Sequence, residues 1–337
     1  MQQYYMRAEV ICDDSLAALK EMSDESVHCV VTSPPYWHLA NYGFEGQIGV
    51  EDTPEEYVER LSDVFDEVKR VLRKDGLLFL NIGDTYYGSG GSGGDFQKGG
   101  LRETHKPYRQ PRRRHEYLKP GDLCGIPWKL AIELQKRGWY LRADCIWNKT
   151  QPYPESVLSR PRKGHEYVFM LSKSSSSRYF YDATAIAQEG RNVTTNWNGP
   201  SSKKRGKTHP APMPEHIVLR SILAGTPNGG VCVTCKTPYQ RMGPRWYHME
   251  KHVQKWKADC KCEVNTPVAA TVLDPFCGTS TVGLIAIENL RSYVGIDGNE
   301  DYCNMSRYDI GVKRRKHLPE DITRGIKVCL GMEIKER

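Results

Sequence analysis

Residues 272–297 read VLDPFCGTSTVGLIAIENLRSYVGID, and no other stretch of the chain constrains the fold as much. An apolar strand, Val272-Leu273, ends in Asp274-Pro275. A loop bearing Gly278 follows, then a helix start rich in small residues, then a second strand, Tyr293–Ile296, ending in Asp297. Strand, glycine loop and helix in that order form the cradle of a nucleotide-type ligand, because glycine lets backbone approach the ligand closely. Some 23 residues separate Asp274 from Asp297, and an acidic residue at the second strand's end suits ribose hydroxyls. No Gly-Lys-Ser/Thr follows Gly278, which excludes a P-loop triphosphate site.

The rest of the chain repeats this alternation. Short β-like runs occur at Arg7–Cys12, Val27–Thr32, Leu77–Ile82, Leu141–Trp147, Tyr167–Ser172 and Thr271–Leu273. Helix-period segments lie between many of them: Pro54–Leu72, with Tyr57, Leu61, Val64, Phe65, Val68 and Leu72 on one face, then Ile126–Arg137 and Thr281–Asn289. Alternating strands and helices imply an α/β fold with a mostly parallel, helix-covered sheet. At 337 residues the chain is long enough for one such domain with insertions. Three segments break the pattern and read as insertions: a Gly-rich and then Arg-rich stretch at 88–120, a polar stretch at 188–214, and a Cys- and Lys-bearing stretch at 226–267. No internal repeat appears.

The balance of +7, from 48 Lys and Arg against 41 Asp and Glu, is mild, so placement of charge matters more than its sum. No stretch approaches the ~20 apolar residues of a membrane span. The N-terminus MQQYYMRAEV lacks a basic n-region and an apolar h-region. A cytoplasmic, reducing setting is the expectation. Most of the eleven cysteines sit singly in apolar runs, as structural thiols do. Four differ. Cys232-Val-Thr-Cys235 and Cys260-Lys-Cys262, with 24 residues between the pairs, read as a Cys₄ zinc ribbon. The spacer has too little apolar matter for a core of its own, so a metal staple makes physical sense. Four protein ligands leave no open position, which makes the zinc structural. His248 and His252 are alternative ligands or plain surface histidines.

The run Val27–Thr32 stops at Ser33-Pro34-Pro35-Tyr36. Ligands of doubly wound sheets bind beyond the carboxyl ends of strands. A strand ending this way presents a hydroxyl, carbonyls freed from ladder pairing, and a ring. Proline has no N–H and a fixed φ, so the corner is rigid and rich in acceptors. It suits gripping the hydrogens of an amine while a ring stacks on a flat heterocycle. The plainer reading is a strand-to-loop turn.

Ser33-Pro34-Pro35-Tyr36 taken with Asp274-Pro275-Phe276-Cys277-Gly278 resembles the amino-methylating DNA methyltransferases, which use S-adenosyl-L-methionine. The amine-gripping motif comes first in the chain, as in their circularly permuted β group. Further likenesses span most of the sequence. Residues 10–14 with Leu16 and Leu19 resemble the strand whose acidic residue, here Asp14, contacts the cofactor adenine. Residues 78–84 (LFLNIGD) resemble the strand after the amine-gripping motif. Residues 154–172 resemble a segment lining the target-base pocket, and 209–224 the helix before the cofactor loop. The family loop usually carries a second glycine two residues after the first; here that position is Ser280.

The resemblance implies a Rossmann-like methyltransferase sheet in permuted order, to which the pattern-breaking segments add inserted loops and the cysteine pairs a small zinc ribbon. It assigns 1–182 to the catalytic part, including the arm at 88–120. It assigns 183–207 to target recognition or a linker, 208–225 to the preceding helix, 226–267 to the ribbon, 268–318 to the cofactor part and 319–337 to a tail. Ser33, Pro34, Pro35 and Tyr36 are the catalytic candidates. Asp14, Asp274, Pro275, Phe276, Cys277, Gly278, Thr279, Ser280 and Asp297 are the cofactor candidates. No Pro-Cys pair of the cytosine-C5 kind is present, and Cys277 reads as packing.

A serine at the first motif position favours the N4 amine of cytosine; the N6 amine of adenine is the alternative. A second alternative is a non-catalytic zinc-ribbon DNA-binding protein on the same scaffold. The implied partner is duplex DNA, and the residues leave open a cognate restriction endonuclease. Arg109, Arg112, Arg113 and Arg114 in the arm, and Lys203, Lys204 and Arg205 further on, are the expected phosphate contacts.

Overall fold

The computed structural model describes residues 6–39, 42, 44, 46–88, 115–152, 154–175, 178–201, 212–242 and 255–317. The elements run β1 (Ala8–Cys12), α1 (Ser15–Glu21), β2 (Val27–Thr32), α2 (Pro54–Val71), β3 (Leu72–Ile82), α3 (Ile126–Lys136), β4 (Tyr140–Lys149), β5 (His165–Ser172) and β6 (Asn196–Gly199). They continue as α4 (Glu215–Gly225), β7 (Val231–Cys232), β8 (Gln240–Met242), β9 (Lys255–Lys257), β10 (Pro267–Val268), β11 (Thr271–Asp274), α5 (Thr281–Glu288), β12 (Ser292–Asp297) and α6 (Glu300–His317).

Eight strands form one sheet in the order β1-β12-β11-β2-β3-β5-β4-β6. Five neighbouring pairs are parallel; β5 is antiparallel to both β3 and β4. Strand alternation sends neighbouring residues to opposite faces. Val30, Leu78 and Leu80 pack on one side with Tyr57, Leu61 and Phe65 of α2. Val31, Leu77 and Phe79 pack on the other with Ile217 and Ile222 of α4 and Ile285 of α5. The sheet is therefore apolar on both faces, which is why its inner strands read as continuous apolar runs.

Helix α2 shows how local chemistry sets a boundary. The Thr53 hydroxyl accepts the Glu56 N–H at 3.2 Å, the Glu56 carboxylate accepts the Thr53 N–H at 3.1 Å, and Pro54 follows the cap. Such a reciprocal box satisfies two orphan donors. The helix ends one residue before the sequence periodicity suggests, because Leu72 is already extended and opens β3.

Outside the cysteine-bearing insertion at 226–267, three elements lie beyond the sequence pattern. Strand β6 falls inside the polar stretch at 188–214, yet it pairs in parallel with β4, Trp147 opposite Trp197. Trp197 is buried, and Arg220 of α4 lies over its ring at 5.0 Å. One buried tryptophan in Asn-Trp-Asn-Gly holds an edge strand that no apolar run announces. Helices α1 and α6 are the other two, each being short of a clear apolar stripe.

Candidate active site

Strands β1, β12, β11 and β2 are adjacent and parallel, so their carboxyl ends open on one side. There a single pocket is lined by Asp14, by Ser33–Tyr36, by Asp274, by 276–279 and by Asp297. Motifs 241 positions apart in the chain, Ser33 and Asp274, meet because β2 pairs with β11. The Thr32 hydroxyl donates to the Asp274 carboxylate at 2.7 Å, fastening the two strand ends together.

The cofactor-type loop is built by its own hydrogen bonds. The Asp297 carboxylate accepts the N–H of Gly278 at 2.8 Å and that of Asn299 at 2.9 Å. Cys277 N–H bonds to the Ile296 carbonyl at 2.8 Å, and the Ser15 hydroxyl donates to the Pro275 carbonyl at 2.6 Å. Gly278 and Ser280 both adopt positive φ, +49° and +54°. That conformation explains why a glycine is usual at the second position. Ser280 accepts the cost. Its side chain is fully buried, with its hydroxyl 3.3 Å from that of Tyr293, so it supports the loop from beneath the pocket wall. Pro275 is also buried and off the wall.

Burial dominates the electrostatics. Desolvation pushes Asp274 up to about 7, against the opposing hydrogen bonds from Thr32 and the Phe276 N–H, and it raises Asp297 as well. Cys277 is buried, and its thiol is raised far above the usual range by desolvation, so it is no nucleophile. Asp14 is exposed and caps α1 by accepting the Ala17 N–H at 3.0 Å.

At the Ser-Pro-Pro-Tyr corner the acceptors are sorted. Tyr57 donates to the Pro35 carbonyl at 2.8 Å, and Leu39 N–H to the Tyr36 carbonyl at 3.1 Å. No donor among the described residues reaches the Pro34 carbonyl. Ser33 Oγ lies 3.4 Å from Tyr36 Oη. The corner thus brings to the pocket wall a hydroxyl, on Ser33, and a residue, Pro34, whose carbonyl has no donor among the described residues.

Sequence reasoning missed much of the wall: Leu39, Tyr42, Phe44, Ile48, Met213 and Tyr302 also line the pocket. Tyr42 and Tyr302 meet edge to face at 6.4 Å. Gly298, next to Asp297, lets Phe44 sit close, since a Cβ there would lie 2.7 Å from its ring. The aromatics Tyr36, Trp37, Tyr42 and Phe44 following the corner were the available signal. Asn81 and Glu166, which hold Tyr36 from behind, lie in the segments 78–84 and 154–172 marked by the resemblance but were not singled out, and Lys149, which pairs with Glu166, was missed; a carboxylate inside the apolar run of β5 was the clue.

The four ribbon cysteines come together, every sulfur within 4.8 Å of the others. Tetrahedral zinc with Zn–S bonds of about 2.3 Å places sulfurs about 3.8 Å apart, and four thiolates are a donor set that suits it. The ribbon strands pair as β7 with β10 and β8 with β9. The module docks at the amino ends of β2 and β3: the His28 ring bonds to the Lys236 carbonyl at 3.2 Å, and Arg73 donates to the Cys235 carbonyl at 3.3 Å. The pocket lies at the other end of these strands. Arg109, Arg112, Arg113, Arg114, Lys203, Lys204, Arg205, His248 and His252 lie outside the described residues. Among the described residues no helix is long and apolar enough to cross a membrane.

Comparison with known proteins agrees with this geometry. The DNA methylase family model matches residues 27–233 and 263–307. The Type II methyltransferase M.Cfr9I of Citrobacter freundii is 38% identical over 310 residues, covering 87% of this chain and 84% of that one. The Type II methyltransferase M.SmaI of Serratia marcescens is 37% identical over 314 residues, covering 91% of each. In fold, PvuII DNA methyltransferase (cytosine-N4-specific) superposes with a TM-score of 0.58 at 17% identity, covering 97% of this chain and 94% of that one. With a Ser-Pro-Pro-Tyr corner and a glycine loop sharing one pocket, and with this match along its length, the chain belongs to the DNA methylase family that modifies exocyclic N6 and N4 amines.

Proposed function

We propose that the protein methylates the N4 amine of a cytosine flipped out of duplex DNA, at a short specific sequence, with S-adenosyl-L-methionine as methyl donor. The observation that carries this reading is the corner itself: Ser33 and Pro34 face the pocket, and the Pro34 carbonyl has no donor among the described residues. The choice of cytosine rests on the serine form of the motif.

An exocyclic amine is conjugated with its ring and is a poor nucleophile. In this reading its two N–H groups donate to the Ser33 hydroxyl oxygen and the Pro34 carbonyl. That grip pulls the nitrogen toward tetrahedral geometry and turns its lone pair to the open side of the pocket. S-adenosyl-L-methionine, when bound, would supply the sulfonium methyl group there: the N–C bond forms as the S–C bond breaks, the neutral thioether is the leaving group, and the methylated amine gives up one N–H proton to solvent. The Tyr36 ring stacks on the base and offsets part of the few kcal/mol or so of unstacking. Most of the acceleration comes from positioning and from fixed dipoles. Asp14, Asp274, Phe276, Gly278, Thr279 and Asp297 are the proposed cofactor contacts, and Pro275, Cys277 and Ser280 shape the loop. The acidic groups suit adenosine's amine and hydroxyls, and Gly278 and Gly298 keep the wall low.

We assign the four ribbon cysteines a structural zinc ion. The docking of that module at the amino ends of β2 and β3 speaks against a zinc-ribbon DNA reader as the main function. Contact with phosphates is assigned to Arg109, Arg112, Arg113, Arg114, Lys203, Lys204 and Arg205. The test is transfer of a labelled methyl group to unmethylated duplex DNA by the wild type and by Ser33→Ala. The variant is expected to lose at least ~100-fold in rate, as loss of one preorganised contact does, with cofactor affinity within twofold. Full activity in the variant would remove Ser33 from the mechanism.

A further inference from the structure

Behind the Tyr36 ring lies a buried polar chain that the reaction as described does not use. Tyr36 Oη donates to Glu166 Oε2 at 2.6 Å. Asn81 Nδ2 donates to Tyr36 Oη at 2.7 Å and to Glu166 Oε2 at 2.8 Å. Lys149 Nζ donates to Glu166 Oε1 at 2.6 Å. These residues come from the ends of β2, β3, β5 and β4, four neighbours in the sheet. Asn81, Glu166 and Lys149 keep step with Phe79, Val168 and Trp147, so they share the sheet face that packs on α4 and α5.

An apolar interior would tolerate Val or Leu at these places more cheaply, since a buried ion pair is weak evidence for stability. Here the side chains of Lys149 and Glu166 are only 14% and 10% exposed. Lys149 and the two hydrogen bonds hold Glu166 ionised against the pull of burial, so it stays a full acceptor for the phenol. Gly83 completes the fit: a Cβ there would lie 2.8 Å from the Tyr36 ring and 3.3 Å from the Glu166 carboxyl carbon. Backbone is thus kept low so that ring and carboxylate can meet. A phenol fixed at its oxygen by the Asn81 amide, by the more distant Ser33 hydroxyl at 3.4 Å and by one anionic acceptor cannot rotate or tilt freely.

We propose that Glu166, with Asn81, is a positioning residue that sets the plane of Tyr36 for stacking on the flipped base. The proposal rests on the reading of Tyr36 as the stacking ring. Lys149 keeps Glu166 charged, and Gly83 gives the ring room.

The experiment is a double-mutant cycle read by single-turnover methyl transfer to duplex DNA at saturating cofactor. Glu166→Gln keeps the side-chain volume and is expected to slow transfer about tenfold, with cofactor affinity within twofold of wild type. In a Tyr36→Phe background, where no phenol remains to hold, the same change should cost less than twofold, because contacting residues couple. An equal cost in both backgrounds would overturn the proposal, as would an unchanged rate in Glu166→Gln. If Glu166→Gln fails to fold, Asn81→Ala takes its place in the same cycle, with the same outcomes expected. A wild type that transfers no methyl group would overturn the functional reading itself; an active wild type isolates this one.

Discussion

Thr32 Oγ1 lies 2.7 Å from Asp274 Oδ1, and this hydrogen bond joins the last residue of β2 to the last residue of β11, the strand before the glycine loop. Both residues are buried. The two motifs that share the pocket, brought from opposite ends of the chain, are registered to one another through it. Thr32→Val keeps the shape and removes the donor. It is expected to cost ~1–2 kcal/mol, the penalty of leaving a buried acceptor short of a partner. Urea denaturation of the purified variant measures it; an unchanged midpoint would show that the strand ends are held by packing alone.

Asp274 also predicts a pH dependence. Burial lifts its carboxyl to about 7 in the folded protein, against about 3.9 in an unfolded chain. Between those values the folded state holds a proton that the unfolded state has released. Stability from this group is therefore full below about pH 4 and is lost as pH rises to about 7. Without cofactor, the melting temperature of the wild type should fall between pH 5 and pH 8 relative to that of Asp274→Asn. Parallel profiles for the two proteins would contradict the burial of that charge.

Ser280 departs from the family's usual glycine, and the structure gives it a supporting place. Its φ of +54° strains any side chain, by ~1–2 kcal/mol in the left-handed region. Its hydroxyl faces Tyr293 and not the pocket. Ser280→Gly should leave cofactor affinity within twofold and stability undiminished, by calorimetric titration and thermal melting. A tenfold loss of affinity would mean that the hydroxyl touches the cofactor.

The ribbon predicts a metal-dependent fold. One zinc ion per chain is expected by elemental analysis, and Cys260→Ser should release it and lower the melting temperature. A strong chelator should do the same, because binding energy at such a site is folding energy. A metal-free wild type with an unchanged melt in chelator would leave the four thiols as plain packing.

The sequence carried the fold wherever burial left a continuous apolar signature. Strands β2, β3, β5 and β12 are covered on both faces and are plain in the residue pattern. Strand β6 is not, since its two buried residues are Trp197 and Gly199, and only Trp197 brings an apolar side chain to the core. The motifs at 33–36 and 274–279 are legible because their chemistry is local: a proline corner and a glycine loop. Glu166, Asn81 and Lys149 are not, because their role exists only once four strands are side by side. The aromatic wall from Tyr42 and Phe44 depends likewise on a loop folding back over Gly298.

The decisive measurement is nucleoside mass spectrometry of unmethylated duplex DNA after incubation with the purified protein and S-adenosyl-L-methionine. N4-methylcytosine is expected, at a rate that collapses in Ser33→Ala. N6-methyladenine in its place would contradict the assignment of the base while leaving the grip intact; no methylated nucleoside at all would contradict the proposed reaction.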